Sequence, residues 1–336
     1  MSGAILTPHA RTLWLSAAFR RLAVLLPVVR WAGKAAVLLF VVSVVTFLLI
    51  SLSPGDAATS LLGQYATPAT VKALQEQMHL DQPLPVQYWE WLGHVLHGDL
   101  GTSLSSGEPV RTMVAQRIGP TVSLVLLTLV VTAVIGVLLG VVSAVRGGPV
   151  ARLTDALGLL GVGVPGFIIG LLLILGFSSS LGWLPPNGYA TLADGLGAWS
   201  RTLVLPVTAL VIGAIGFIAK QVRSAMVDAL RSPFIRTLRA NGFARRSVLY
   251  KHALRTASVP VLAALGTAVV GLLGGSVLIE QVFGIPGLGG LAVASAASKD
   301  LPVVQAVAVT YTLLIIAVNL CLDLLYVVVN PKVGRR

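Results

Sequence analysis

Glu280 and Asp323 are the two acids that stand inside, or at the end of, long apolar runs in this 336-residue chain. An ionisable group in lipid is costly, pairs with a neighbour and often marks an ion or substrate path. A proton-coupled carrier would use such groups. A lone Asp323 is more simply satisfied by a bond to a neighbouring helix. The five histidines (His9, His79, His94, His97 and His252) all lie outside the apolar runs. His94 and His97 are three apart and could share a helix face, yet two ligands do not make a metal site. No metal and no catalytic residue is expected, since no nucleophile–base or metal set stands within the apolar runs. No G-x-x-x-x-G-K-[ST] phosphate loop occurs, so the chain is not expected to hydrolyse nucleotide or to bind a cofactor itself. The Gly284–Gly290 run is glycine-rich, but no strand–helix unit follows it. It reads as a re-entrant turn. Cys321, the single cysteine, reads as a small buried hydrophobe.

The elements that must position these groups are membrane helices. The chain is 56% hydrophobic and 11% charged, where a soluble domain carries roughly 25% charged residues. Windows of about 20 apolar residues, enough to cross a hydrocarbon core of about 30 Å, fall at residues 33–53, 120–145, 155–178, 203–222, 258–280 and 303–329. The fold class is therefore all-α and polytopic, with six spans. Residues 1–32 carry Arg20, Arg21 and Pro27 within an apolar stretch, and read as a surface-lying cytoplasmic extension. The net charge of +12 could suggest nucleic acid, but the basic residues are interrupted by spans and aromatics are scarce.

Lys and Arg are retained on the cytoplasmic side. With both termini inside, 19 of the 24 basic residues fall on inner segments, nine of them between Lys220 and Arg255. Residues 54–119 then form a partly helical external segment, with Trp89 and Trp91 placed for a lipid interface, and residues 330–336 an inner tail. The basic loop 223–257 holds Ser232-Pro233 and Asn241-Gly242, start and stop signals that predict two short helices joined near Gly242. Within the spans, Gly136/Gly140, Gly166/Gly170 and Gly271/Gly275 are G-x-x-x-G pairs that let helices approach closely. Pro165 is placed to kink the third span. With Ser276, Pro165 and the last two glycine pairs are candidates for helix packing or for a pathway lined by small groups.

The basic loop also carries a resemblance. Arg236, Thr237, Arg239, Ala240 and Gly242, followed by His252-Ala253-Leu254-Arg255, resemble the cytoplasmic coupling loop of ABC-importer permeases of the dipeptide/oligopeptide/nickel family. Leu238 and Asn241 depart from the usual Ala and Lys. Further stretches agree in order: Ser53-Pro54-Gly55-Asp56, Leu80–Tyr88, Gly98–Gly101, Ile279–Phe283 with Pro286–Gly289, Asp300 with Pro302–Gln305, and Asp323, Tyr326 and Asn330-Pro331. They cover the chain from about residue 30 onward.

The resemblance implies a type I importer fold and a bacterial inner-membrane location. It implies a non-catalytic subunit that moves short peptides inward, or nickel chelates or another small solute in the same kind of machine. Partners would be a second permease subunit (a paralogue), two ATPase subunits holding ATP and Mg, an external substrate-binding protein and the bilayer. Arg236, Thr237, Arg239, Ala240, Gly242, His252 and Arg255 would couple to the ATPases. The rival reading is the carrier using Glu280 and Asp323.

Overall fold

The computed structural model describes residues 8–53, 57–78 and 81–329. Twelve α-helices follow one another among them: α1 (Pro8–Ser51), α2 (Ala57–Leu62), α3 (Pro68–Gln77), α4 (Leu84–Leu96), α5 (Val110–Arg146), α6 (Gly148–Gly163), α7 (Gly166–Leu173), α8 (Leu196–Arg231), α9 (Pro233–Ala240), α10 (Leu254–Val282), α11 (Leu288–Ala297) and α12 (Leu301–Val329). Five stretches are long and apolar enough to cross a membrane: Val29–Ser51, α5, α8, Ser247–Val282 and Leu301–Val328. Helix α6 with α7 and its π-helical extension Ile174–Ser180, bent by 100°, makes up to a sixth if the bent pair is one span. The bundle has two unlike ends. One carries α9 and most of the arginines; the other carries Glu280, Asp300 and α2 to α4. We call them the basic and the acidic end.

In lipid no hydrophobic force draws one helix to another, so close packing must hold them. Helix α8 is the axis of that packing and touches α5, α6, α7 and α10. Two sets of glycines bring backbones together on it. A Cβ at Gly136 would meet Ile218 at 2.8 Å, and one at Gly140 would meet Val222 at 2.5 Å and the Ala219 carbonyl at 2.6 Å. Where α6 crosses α8, a Cβ at Gly161 would strike the Gly213 carbonyl, and one at Gly216 the Gly158 backbone. The α6 glycines are not a G-x-x-x-G pair, which is why that pattern passes over them. Gly170 packs against the Phe283 ring and Gly275 against Leu210, whereas Gly166 and Gly271 have no atom within 4 Å of a built Cβ. Gly166 and Gly271 thus make no close helix contact among the described residues. Spacing alone cannot say which side of a helix faces a neighbour. Ser276 is buried, its hydroxyl donating to the Leu273 carbonyl at 2.9 Å.

The third span is broken where a kink is expected. The residue before a proline is driven out of the helical region, and Val164 sits at φ −114°, ψ 115°. Pro165 then stands just ahead of α7. Other boundaries move for the opposite reason. Helix α5 starts at Val110, ten residues before the apolar window, and passes through Pro120. Helix α8 runs to Arg231, well past the polar residues that close its window. Helix α1 continues unbroken through residue 32, so the extension is not a separate helix over its described part. Residues 1–7 and 330–336 lie outside the described residues. Polar residues end an apolar window without ending a helix, because the backbone bonds continue into water.

Cys321 is exposed, not buried. It lines an apolar groove of about 420 Å³ between α5, α10 and α12. In a membrane protein the outside is also apolar, so an apolar run does not imply the interior.

Gly140→Leu is expected to force α5 off α8 and destabilise the protein by about 1–3 kcal/mol, the usual cost of overpacking. Gly271→Ala is expected to leave stability unchanged or raise it slightly. Thermal unfolding of the two variants in the same detergent checks both.

Candidate functional site

At the basic end, α9 is a short amphipathic helix with a defined start and stop. The Ser232 side chain accepts from the Ile235 amide, and Pro233 occupies the first turn, where a missing N–H costs nothing. At the other end the Gly242 amide donates to the Arg239 carbonyl at 3.1 Å and the Phe243 amide to the Leu238 carbonyl at 3.2 Å. That pair of bonds is a Schellman cap, which needs a left-handed residue after the helix. Gly242 supplies it at φ +77°. Ile235 is buried with Met226, Val248 and Ala253, and Leu238 packs beside them. The opposite face, Arg236, Thr237, Arg239 and Ala240, is open, as is Gly242. The Thr237 hydroxyl turns back to the Pro233 carbonyl at 3.2 Å.

The second half of the motif closes on the first. His252 lies between the rings of Phe234 and Phe243, each with centroids 6.0 Å away and nearly edge-on. Phe234 is 56% exposed and Phe243 48%. Tyr250 and Arg255 are also at the surface. The result is one exposed patch, aromatic in part and strongly cationic. No second short helix follows Gly242. A π-helical turn, Ser247–Ala253, leads straight into α10. No glycine or proline stands between residues 244 and 259 to break it. Phe234 and Phe243 were not singled out from the sequence. Two phenylalanines in an otherwise basic, polar loop are the signal that could have shown them.

Glu280 is 1% exposed at the acidic end. Its Oε1 accepts from the Thr121 hydroxyl at 2.6 Å, and its Oε2 from the amides of Gly289 at 2.7 Å and Gly290 at 3.2 Å. The Thr121 oxygen in turn accepts from the Leu288 amide at 2.8 Å. The carboxylate thus caps α11, where the amides and helix dipole favour an anion, and ties α5, α10 and α11 together. A Cβ at Gly287 would overlap the carboxylate, and one at Gly289 would meet it at 2.8 Å. The glycine run is the space Glu280 needs.

Asp300 makes a second tie. It accepts from the hydroxyls of Ser103 and Ser105 and from the amides of Leu104 and Ser105, the last two at 3.1 and 3.2 Å. This binds the turn after α4 to the α11–α12 junction. Lys299, at φ +57°, donates to the Ser53 carbonyl at 3.0 Å and brings in the end of α1.

The remaining candidates lie apart. Asp323 is exposed on α12 and makes no hydrogen bond or ion pair among the described residues. The bond to a neighbouring helix expected of it is absent among the described residues, where Asp323 stands on an exposed flank of α12. His94 lies 4.0 Å from Asp99, and the His97 ring pairs with the Gly93 carbonyl, so the two histidines do not converge. Glu280 and Asp323 sit at opposite ends of the bundle.

Comparison with known proteins bears on both ends. Residues 136–335 match the family described as binding-protein-dependent transport system inner membrane component. Residues 24–125 match that component's N-terminal family. A protein named as a peptide transport system permease in Brucella abortus (strain 2308) is 39% identical over 307 residues, 91% of this chain and 98% of the relative. A peptide ABC transporter permease protein of Sinorhizobium fredii is 38% identical over 87% of this chain and 94% of the relative. A glutathione transport system permease protein of Salmonella paratyphi A is 38% identical over 88% of this chain and 94% of its own length. The exposed patch around α9 and Glu280 both fall within residues 136–335, and the chain belongs to the binding-protein-dependent inner-membrane permeases, as an ABC importer permease of the peptide family.

Proposed function

We propose that this chain is one of two permease subunits in an ATP-driven importer that carries short peptides inward, glutathione-sized ones among them. The names of its relatives support the substrate class. The excess of Lys and Arg at the basic end supports placing that end and both termini in the cytoplasm. The pathway forms with a second permease, and a binding protein delivers substrate at the acidic end. Two ATPase subunits, with their ATP and Mg, dock at the basic end.

The observation that carries this reading is the build of α9. Its buried edge is fixed in the core by Ile235, and its open edge offers Arg236, Arg239, Phe234 and Phe243 to a partner. Cationic and aromatic side chains around a buried anchor suit an acidic socket on another protein. Movement of that socket reaches the membrane through a stiff connection. Ser232 alone separates α9 from α8, which runs 36 residues through the bundle. On the other side the π-turn leads into α10, whose far end holds Glu280. One displacement at α9 thus acts on two spans. Asp323 and Glu280 are not proton sites in this reading: Glu280 is held by three donors as a structural cap, and Asp323 lies on an open flank.

Gly242→Trp puts a bulky L-residue at a left-handed position, which costs about 1–2 kcal/mol, and crowds the open patch. The variant is expected to insert normally but to lose peptide uptake and peptide-stimulated ATP hydrolysis in proteoliposomes holding the whole importer. Retained uptake would refute α9 as the coupling helix. Asp323→Asn is expected to transport like the parent, and a proton gradient without ATP to drive nothing. Uptake that follows the gradient and is abolished by Asp323→Asn would establish the carrier mechanism in its place.

A further inference from the structure

Helix α4 belongs to the segment between the first two spans, yet its contacts lie deep along α1. The Tyr88 hydroxyl and the Ser43 hydroxyl are 2.8 Å apart in a buried hydrogen bond. The Tyr88 ring stands edge-on to Phe47 at 5.4 Å and to Phe40 at 6.2 Å, and the Trp89 ring lies 6.4 Å from Phe40. Ser43 is eight residues below the end of α1 at Ser51, or about 12 Å at the rise of a helix. Phe40 is about 16 Å below it by the same measure. The apolar span runs from Val29 to Ser51, so these partners sit near its middle. A helix floating above the bilayer could not place its side chains there.

The faces of α4 agree with such a depth. Tyr88 is buried against α1. Gln87, Glu90, Trp91 and His94 line a cavity of about 220 Å³ closed on its far side by Leu100, Leu301 and Pro302. Trp91 therefore faces the protein and not lipid. A third edge, Val86 at 43% exposure and Trp89 at 61%, is largely open among the described residues, the Trp89 ring resting only against its neighbours Phe40 and Tyr88. It continues the open apolar flank of α1 made by Val37, Phe40, Val41 and Val45. An apolar edge beside the middle of a membrane span faces acyl chains by its depth.

We propose that α4 is embedded in the leaflet at the acidic end of the bundle, with its Val86–Trp89 edge against lipid and its Gln87–Glu90–His94 edge turned to an aqueous cavity. The segment between the first two spans is then partly a membrane-embedded element, with this cavity on its protein-facing side. The inference does not depend on the transported substrate or on which side is cytoplasmic.

The test uses the complete importer in lipid nanodiscs, with Cys321→Ser to remove the single cysteine. Val86→Cys, Trp89→Cys and Glu90→Cys are each labelled with a nitroxide, and collision rates are measured with oxygen, which partitions into lipid, and with a water-soluble nickel chelate. At 86 and 89 oxygen is expected to win by several-fold; at 90 the chelate is expected to win. Equal access of the chelate to all three would overturn the proposal and lift α4 out of the bilayer. Exclusion of both reagents at 86 and 89 would also overturn it, by showing that a partner subunit covers this edge. Trp89→Cys removes a ring contact, so Val86→Cys, at a half-exposed position that removes no ring, carries the decision if the first variant is unstable.

Discussion

Everything in this bundle depends on how closely α8 can be approached. Lipid tails are as apolar as leucine, so burying apolar surface gains little, and dispersion contacts between backbones must do the holding. That requirement places Gly136 and Gly140 of α5 against Ile218, Ala219 and Val222, and Gly158 and Gly161 of α6 against Gly213 and Gly216. With α8 fixed by α5 and α6, α10 packs on its remaining side and α12 on α10. The polar ties at the acidic end are added to a frame that glycine has already set.

Those ties share a logic. Glu280 and Asp300 are both buried, and each is surrounded by amides and hydroxyls and by no arginine or lysine among their bonded partners. A carboxylate satisfied by several donors that cannot leave holds backbone segments in a fixed arrangement. A salt bridge to a long cation would allow more play. The basic end is built otherwise. There Arg223 pairs with Asp155 across two helices at 3.2 Å, partly exposed, and such pairs add little stability. The acidic end is locked by buried carboxylates of its own chain, while at the basic end Arg236 and Arg239 stand at the surface.

The sequence foretold much of this, in an uneven way. Span number, the kink residue Pro165 and the loop with Gly242 were legible because apolar length, proline and glycine act locally. The left-handed turn at Gly242 follows from one residue and its neighbours. What stayed hidden was long-range. Glu280 reads as an ionisable group near lipid until Thr121, 159 residues away, is seen to bond it. Gly166 and Gly170 read alike, and only the position of Phe283 tells them apart. Cys321 was misplaced because apolar composition cannot distinguish a protein interior from a lipid-facing flank.

The break at Val164 and Pro165 carries one more consequence. Gly161, three residues before Val164, packs on Gly213 near the middle of α8, so the break falls at membrane depth. There α6 ends with carbonyls that have no next turn, and α7 begins with amides that have no previous one. Both Gly163 and Pro165 are open at the surface of the single chain. Hydrocarbon cannot solvate such groups, and irregular backbone at this depth survives only beside water or another protein. The open side of that bend therefore cannot be a lipid face; it marks where hydration enters the membrane or where a second subunit excludes the fatty acyl chains.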